Sequence, residues 1–242
     1  RFLTERMHFE NSPAYKGSIS VILTEGNITL GLMQELVPNQ GDAWKFMLEE
    51  VDRIFENLSY RKIKIDKLPE VELFSRLRLN EIPHEIIDWA GLKIFLRIRT
   101  MATRTAEMHI ALGSDIHETA FTPITYNSDY SVWLKNRLTY QFQNRLNILE
   151  NNLHKLDGLA LELANQFLDQ KKNIRKIFLD FDWTKMKSER IRIHGDYHLG
   201  QVLVNGEDFF ILDFEGEPES TISDRKVKQP PLKDVAGIFR SF

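Results

Sequence analysis

The sequence predicts an α+β fold, in which a small β-rich part precedes a mainly helical part that contains one β-hairpin. Three observations carry this prediction. Apolar residues alternate over residues 19–23, which is the period of a half-buried strand. They recur at helical spacing over residues 44–58. Two short apolar runs then flank a turn dipeptide over residues 202–212, which predicts a β-hairpin near the end of the chain.

Composition narrows the function classes. The 242 residues carry 32 Lys and Arg against 35 Asp and Glu, for a net charge of -3. This balance argues against a nucleic-acid partner that is bound through bulk positive charge. The sequence has no cysteine, which excludes disulfides and fits a reducing compartment, so we expect a cytoplasmic protein. With no signal peptide and no apolar run long enough for a bilayer, no membrane partner is expected.

The β-rich part covers residues 1–37. A second strand, over residues 28–37, follows the turn residues 25–27, so the two strands form a hairpin. A single hairpin is marginally stable, which suggests further strands upstream. The chain opens on Arg1 and closes within an apolar pattern, so we expect it to be cut from a longer protein. Pro38 and Gly41 end the strand and mark the boundary with the helical part.

The helical part begins at Asp42, which is a good N-cap for an amphipathic helix over residues 43–58. Residues 71–79 predict a short helix. Residues 85–112 predict one long helix, which Gly113 can end. Further helical patterns cover residues 130–153 and 158–170, and a last helix starts near Asp234, which we expect to cap it.

Three polar side chains are set among the apolar runs of the late hairpin. Asp196 and Gln201 precede its first strand, and Asp213 ends its second strand. Because a hairpin brings its two outer ends together, the three side chains can converge on one point. The Asp196 carboxylate can accept a proton from a substrate hydroxyl. An amide oxygen and a carboxylate suit Mg²⁺, which leaves its other positions to water and phosphates.

The order and spacing of these groups match a known pattern. Gln201 follows Asp196 by five residues, and protein kinases place an amide five residues after their catalytic acid, with D-F-G on the next hairpin arm. Two neighbours leave alternatives open. His198 either touches phosphate or structures the loop, and Glu215 either binds the metal, directly or through water, or is a surface residue.

A closer resemblance is to the maltokinases, which are aminoglycoside-phosphotransferase-like enzymes often fused to trehalose synthase. It rests on H-G-D-Y-H-L-G-Q-V-L at 194–203, L-D-F-E-G-E-P at 212–218 and P-L-K-D-V-A-G-I-F-R-S-F at 231–242. Q-E-L-V-P-N-Q-G-D-A-W at 34–44 and R-T-A-E-M-H-I-A-L at 104–112 look like the same family. The resemblance covers nearly the whole chain, although Tyr197 stands where the family usually has leucine.

The resemblance implies a protein-kinase-like bilobal fold. Residues 1–37 would be the end of a truncated β-rich N-lobe and the hinge. Residues 38–242 would be the helical C-lobe with the catalytic β-hairpin, lacking its C-terminal helices. The implied reaction is the ATP-dependent phosphorylation of maltose to maltose 1-phosphate, which feeds α-glucan and trehalose metabolism.

The same resemblance implies roles for the motif residues. Asp196 would be the catalytic base, Gln201 and Asp213 the Mg²⁺ ligands, and Gln34, Glu35 and Val37 the ATP-binding hinge. To these we add the two candidates left open above, His198 as a catalytic residue and Glu215 as a metal ligand. The Gly-rich loop and phosphate-binding lysine of the fold would precede Arg1. We therefore expect this chain by itself to be inactive.

Two other functions compete with a maltose kinase. One is a related kinase for an aminoglycoside or a choline-like amine, which would favour a strongly acidic pocket. The other is an inactive kinase-like module attached to trehalose synthase. The presence of Asp196, Gln201 and Asp213 together argues against the inactive module.

Several residues outside the motif also receive an interpretation. Trp44 lies just past the hinge and is expected to pack in the core, with the nucleotide cleft as the alternative. His109 is expected to be a hydrogen-bonded core residue. Arg97, Arg99 and Arg104 are expected to form a solvated helix face.

Overall fold

A computed structural model describes residues 1–24, 26–64, 77–115 and 117–242. Its contacts divide the chain into two compact units. The first joins Arg1–Pro123 to Ile191–Phe242, and the second is Ile124–Arg190. The lobe boundary between residues 37 and 38 stays a prediction. Among the described helices, none combines the length and the apolar character that a bilayer crossing requires.

The regular elements follow in chain order. The strands are β1 (Tyr15–Leu23), β2 (Gly26–Gln34), β3 (Ile124–Thr125), β4 (Glu189–Arg190), β5 (Val202–Asn205) and β6 (Asp208–Ile211). The α-helices are α1 (Ala43–Tyr60), α2 (His84–Ala90), α3 (Leu92–Leu112), α4 (Ser128–Asn152), α5 (Gly158–Asp169), α6 (Lys171–Asp180), α7 (Ile222–Arg225) and α8 (Leu232–Arg240). Short helical turns cover Phe2–Arg6, Leu79–Glu81, Leu153–Lys155, Trp183–Lys185 and Leu199–Gln201.

The strands form antiparallel pairs. β1 pairs with β2 from Tyr15 opposite Gln34, with two irregularities in the register, and β5 pairs with β6 from Val202 opposite Ile211. β3 pairs with β4 in the second unit. The two predicted hairpins are therefore confirmed, and residues 35–37 continue from β2 without belonging to it.

The core of the first unit surrounds the β5–β6 hairpin. Alternate residues of both strands are buried, and Val202, Phe209 and Ile211 are fully enclosed. Met108 of α3 and Ala43 of α1 belong to the same hydrophobic cluster. The alternation explains this packing, because successive strand residues point to opposite faces.

Flanking segments hydrogen-bond to both outer edges of this hairpin. On the β6 side, the Ile211 N–H donates to the Asn11 carbonyl oxygen at 2.8 Å, and Asn11 Nδ2 donates to the Phe209 carbonyl oxygen at 2.9 Å. On the β5 side, the Val204 N–H donates to the Gly41 carbonyl oxygen at 3.0 Å. The hairpin edges are thus paired rather than exposed, which adds to its rigidity.

The predicted cap of α1 is confirmed. The Asp42 carboxylate accepts the Lys45 N–H at 2.8 Å, so it satisfies one of the unpaired amides of the first turn. The helix runs two residues further than predicted, to Tyr60. The cap thus fixes the start of α1, directly after the segment that follows β2.

The long helix predicted over residues 85–112 is wrong, because the chain forms α2 and α3 with a break at Gly91. Gly91 has φ 82°, which a helix cannot contain. The helical spacing of apolar residues on both sides hid this break. A short helix was predicted over residues 71–79, and its first six residues, 71–76, lie outside the described residues. Gly113 follows α3, as predicted.

Two of the three arginines expected on a solvated face contact the hairpin turn instead. Arg97 is buried, with Nη2 3.6 Å from Glu207 Oε1. Arg104 binds both carboxylate oxygens of Asp208 at 2.8 and 2.7 Å. The expected solvated face is wrong for Arg97 and Arg104 because α3 packs along β6. The acids Glu207 and Asp208, at the hairpin turn and the start of β6, therefore lie beside them. Arg99 is exposed, as expected.

The second unit consists of α4, α5 and α6 with the small β3–β4 pair. The helices predicted over 130–153 and 158–170 are confirmed, and α6 was missed. Within this unit, the Arg190 guanidinium lies 4.2 Å from the centre of the Tyr130 ring. Burial raises the pKa of the Tyr130 hydroxyl to about 12, so it stays protonated at neutral pH.

Candidate active site

His194 connects the loop before β5 to the end of β6. Its ring is buried, and Nε2 lies 2.7 Å from the Leu212 carbonyl oxygen. The Asp196 N–H donates to Nδ1 at 3.4 Å. Burial lowers the pKa of His194, so a neutral ring with its proton on Nε2 satisfies both contacts. This geometry gives His194 a structural role, since it bonds the backbone directly before Asp213.

Two glycines let the HGD loop, residues 194–196, approach the segment after β6. Gly195 has φ 91° and Gly216 has φ 80°, both in the region that favours glycine. A Cβ on Gly195 would lie 3.1 Å from Gly216 Cα. Any other residue at position 195 would push the two loops apart. The sequence around Asp196 and the sequence after Asp213 therefore lie against each other.

Asp234 holds the HGD loop from behind. Its carboxylate is 1% exposed and accepts the His194 N–H at 2.8 Å and the Gly195 N–H at 2.9 Å. The prediction that Asp234 caps the last helix is wrong. α8 begins at Leu232, so Asp234 lies inside its first turn and its side chain bonds another segment. No spacing signal in the sequence pointed to this contact.

Gln201 and Asp213 meet at the open end of the hairpin. The Leu212 N–H donates to the Gln201 carbonyl oxygen at 2.9 Å, and Gln201 Nε2 lies 3.4 Å from Asp213 Oδ2. Asp213 has φ 58°, a left-handed conformation that costs energy outside glycine but that Asp tolerates. This backbone turn directs the exposed carboxylate towards the amide.

The donor set at this end suits Mg²⁺. A carboxylate and an amide oxygen within reach of each other are hard ligands, and Mg²⁺ keeps several waters or phosphate oxygens besides. The described residues contain no cluster of three or more His, Asp or Glu that could hold a metal by themselves. Glu215 is exposed two residues after Asp213. Its predicted metal role, direct or through water, stays a prediction.

His198 structures the turn between Asp196 and Gln201. Its Nδ1 accepts the Gly200 N–H at 3.1 Å, and its Nε2 lies 3.9 Å from Asp196 Oδ2. The hydrogen bond from Gly200 therefore supports the alternative in which His198 structures the loop. The same geometry leaves the imidazole edge beside the carboxylate. Its catalytic role stays a prediction.

The predicted hinge leaves β2 along the surface and joins the hairpin. Gln34 and Glu35 are exposed, with Glu35 paired to Lys16 at 2.9 Å, whereas Val37 is buried. Three residues further on, the Gln40 N–H donates to the Val204 carbonyl oxygen at 2.9 Å. The hinge is thus tied to the strand that follows Gln201. Its contact with adenine stays a prediction.

A cavity of about 450 Å³ opens beside Asp196, a size typical of small-molecule sites. Trp44 forms part of its wall and is 48% exposed, so the expectation that Trp44 packs in the core is wrong. Trp44 follows Ala43, which is buried in the core, and the Trp44 side chain lines this cavity instead. Polar groups complete the lining, among them His198, Glu217 and Arg240.

The described helices and small antiparallel strand pairs define an α+β class of fold. No model of a protein family matches the chain. Solved structures nevertheless follow its fold over 97% of its residues. The predicted α+β class is confirmed, and the solved structures that share this fold are kinases, while the division into lobes stays a prediction.

The particular structures are those of glucosamine kinase. One, solved in complex with glucosamine, ADP and inorganic phosphate, matches with a TM-score of 0.64 and 19% identity, over 97% of this chain and 47% of that chain. A second crystal form matches with a TM-score of 0.63, over 97% and 45%. The chain thus spans less than half the length of these structures, and the likeness is one of fold.

A short sequence match points the same way. The glucosamine kinase of Streptacidiphilus jiangxiensis is 37% identical over 51 residues, which are 21% of this chain and 12% of that protein. The maltokinase resemblance stays a prediction, because the relatives named here are glucosamine kinases, whose fold the chain shares.

Proposed function

We propose that the natural protein containing this chain is an ATP-dependent kinase that phosphorylates a hydroxyl group of a small sugar. One observation carries the proposal. Gln201 and Asp213 meet at the end of a buried hairpin, and the loop that bears Asp196 packs against the segment directly after Asp213. The proposed acid for the acceptor and the proposed ligand pair for a metal–phosphate complex thus lie on segments that pack against each other, and this supports phosphoryl transfer, which depends on positioning.

Asp196 is proposed to orient the acceptor hydroxyl and to take its proton. The carboxylate is 30% exposed and lines the cavity, so an acceptor can reach it. Its backbone is held from two sides, by Asp234 behind the loop and by Gly216 in front. A fixed backbone favours catalysis, because most of the barrier reduction in phosphoryl transfer comes from positioning. His198 lies beside this carboxylate and would influence its hydrogen bonding.

Gln201 and Asp213 are proposed to hold Mg²⁺, with Glu215 acting through water. When bound, the ion would neutralise charge on the ATP phosphates. In this structure the Gln201 amide nitrogen faces the Asp213 carboxylate. A flip of the amide group would present its oxygen to the ion instead. Gln34, Glu35 and Val37 are proposed to line the adenine site, through the Glu35 carbonyl oxygen and the Val37 N–H.

The acceptor has two candidates with different support. The motifs at 194–203, 212–218 and 231–242 resemble the maltokinases, which supports maltose, with maltose 1-phosphate as product and trehalose synthase as a fused partner. The names of the structural and sequence relatives support glucosamine. Maltose and glucosamine are both small sugars, so either acceptor gives the same proposed class of enzyme, a kinase for a small sugar.

The test uses the complete natural protein with Mg-ATP and a panel of maltose, glucose, glucosamine, trehalose, choline and kanamycin. Phosphorus NMR identifies both the acceptor and the position of the new phosphate. We expect a sugar phosphate, with maltose 1-phosphate as the specific prediction. Phosphorylation of choline or kanamycin alone would overturn the sugar assignment. Nucleotide binding without any product would instead favour the inactive module.

A matched pair of variants tests the role of Asp196. Asp196→Asn removes the proton acceptor, and we expect turnover to fall by about 10²–10⁴-fold while the fold is kept. Asp169→Asn makes the same change at an exposed position of α5 and should leave turnover unchanged. Turnover of Asp196→Asn within tenfold of the wild type would refute the assignment.

A further inference from the structure

The cavity beside Asp196 has one large aromatic side chain that remains open to solvent. Trp44 is exposed, although Ala43 before it is fully buried and Met47 after it is buried in the core. The backbone of this helical turn is fixed by the Asp42 cap, so the indole is held at the wall of the cavity. A large apolar surface in this position can bind the apolar surface of a ligand.

This cavity lies on the acceptor side of the proposed site. Asp196 lines it, whereas its described lining residues include neither the proposed metal ligands Gln201 and Asp213 nor any residue of the predicted hinge. A group that binds against Trp44 therefore shares a cavity with the proposed base and not with the proposed ATP contacts.

The chemistry of the lining suits a sugar ring. One face of a pyranose ring presents C–H groups, which pack against an aromatic ring, and its edge carries hydroxyls, which both donate and accept hydrogen bonds. The cavity offers the Trp44 indole for the face, with Arg240 as a donor and Glu217 as an acceptor for the edge. Small-molecule sites typically combine apolar surface with a few polar groups in this way.

The spacing of apolar residues on α1 provides a competing explanation for the exposed indole. Four exposed apolar residues recur at helical intervals along α1, namely Trp44, Leu48, Val51 and Phe55. Trp44 would then be only the first residue of an apolar stripe that another segment covers. Of these four residues, however, Trp44 alone lines the cavity beside Asp196. Leu48 is therefore a matched control, since it shares the stripe but not the cavity.

We propose that Trp44 is an acceptor-binding residue, whose indole stacks on the C–H face of a pyranose ring while a hydroxyl of that ring meets Asp196. This inference rests on the proposed function and narrows its acceptor to a sugar with a six-membered ring. Stacking holds the ring without touching the transferred phosphoryl group, so it stabilises the bound acceptor and the transition state alike. Trp44 therefore acts on the KM for the acceptor and leaves kcat little changed.

The first experiment measures the kinetics of both substrates in the complete protein, with maltose and with glucosamine as acceptors. In Trp44→Ala we expect the KM for the phosphorylated sugar to rise at least tenfold, with kcat within threefold and the KM for ATP within twofold of the wild type. Trp44→Phe keeps an aromatic face and should recover most of the loss. Leu48→Ala should leave all three values unchanged.

A second experiment detects the stacking without turnover. Titration with the same sugar in the absence of ATP should change the tryptophan fluorescence of the protein, because the sugar replaces water on the indole. Trp44→Phe should lose this change. Trp89→Phe removes a tryptophan outside the cavity and should keep it.

The outcomes separate the two proposals. A wild-type protein that phosphorylates no acceptor would overturn the proposed function, and this inference with it. If the wild type is active, an acceptor KM of Trp44→Ala within twofold of it would overturn only the inference. A rise in the KM for ATP instead would assign Trp44 to the nucleotide, and an equal rise in the acceptor KM of Leu48→Ala would assign it to the apolar stripe.

The fluorescence titration keeps the inference testable if thermal melting shows that Trp44→Ala does not fold. Trp44→Phe then decides, because it retains the size and apolar character of the side chain. A fluorescence change that persists in Trp44→Phe would show that the sugar binds elsewhere, and the inference would be wrong.

Discussion

The two hairpins of the first unit have the same topology and opposite surroundings. β5–β6 is buried on alternate residues and paired along both outer edges, with Phe209 0% exposed. β1–β2 is longer, yet its large apolar side chains face outward, with Ile22 81% exposed. Both were predicted from the same strand–turn–strand pattern. That pattern identifies strands, and only packing against other elements shows which hairpin holds its side chains in place.

This difference explains why the candidate site lies where it does. Phosphoryl transfer depends on fixed geometry, and Gln201 and Asp213 lie at the ends of the hairpin that the core immobilises. The exposed hairpin carries Gln34 at its last position and leads into the predicted hinge. The buried hairpin thus supplies the proposed chemistry, and the exposed one supplies a connection.

The largest expected contrast between the hairpins comes from removing one large side chain from each. Phe209→Ala empties a fully buried position and should lower the free energy of unfolding by about 3–5 kcal/mol. Ile22→Ala changes an exposed position and should lower it by less than about 1 kcal/mol. Chemical denaturation of both variants checks this. Similar losses for the two variants would contradict the comparison.

A smaller contrast comes from adding one methyl group to a glycine. A Cβ on Gly237 of α8 would lie 2.5 Å from the Tyr197 carbonyl oxygen, whereas a Cβ on Gly31 of β2 meets nothing within 4 Å. Gly237→Ala should therefore cost about 1–3 kcal/mol and displace the HGD loop, because a backbone atom must move. Gly31→Ala should be neutral. Melting temperatures measure both, and a neutral Gly237→Ala would show that α8 does not press on the loop.

The smallest effect concerns the tip of the buried hairpin. Burial by itself would raise the pKa of Asp208, but the hydrogen bonds from Arg104 lower it below its ordinary value. The carboxylate therefore stabilises the fold above the pKa of about 3.9 that it has in the unfolded chain, and this stabilisation is lost as pH falls through the lower folded pKa.

Asp208→Asn isolates this contribution. The variant should lose about 1 kcal/mol of stability at pH 7, because the pair is partly exposed. The difference from the wild type should shrink as pH falls below about 3.9, the pKa of the unfolded chain. Urea unfolding at several pH values gives the difference directly. A difference that persists unchanged at pH 3 would mean that packing, and not the ion pair, is responsible.

The sequence was most informative where local chemistry decides structure. The Asp42 cap, the turn at Asn205-Gly206 and the alternation of β5 and β6 are local signals, and the structure agrees with each. Gln201 and Asp213 were expected to converge for a geometric reason, since a hairpin brings its ends together, and they do.

The sequence was least informative where distant segments decide structure. Asp234 looks like a cap from its position near a helix start, and only the fold brings 194–195 to its carboxylate. Arg97 and Arg104 look solvated until α3 is packed beside the acids of the hairpin tip. Gly91 breaks a continuous helical spacing, which periodicity alone cannot detect.

The paired edges of the buried hairpin also restrict how the rest of the chain can move. Asn11 precedes β1 and is bonded to β6, while Gly41 follows β2 and is bonded to β5. The exposed hairpin is therefore anchored at both of its ends to opposite sides of one rigid element. The Glu35 N–H also donates to the Ala14 carbonyl oxygen, which joins the two connecting segments. Any swing of β1–β2 must then come from backbone rotation within residues 12–14 and 35–39, acting together as one double-stranded pivot.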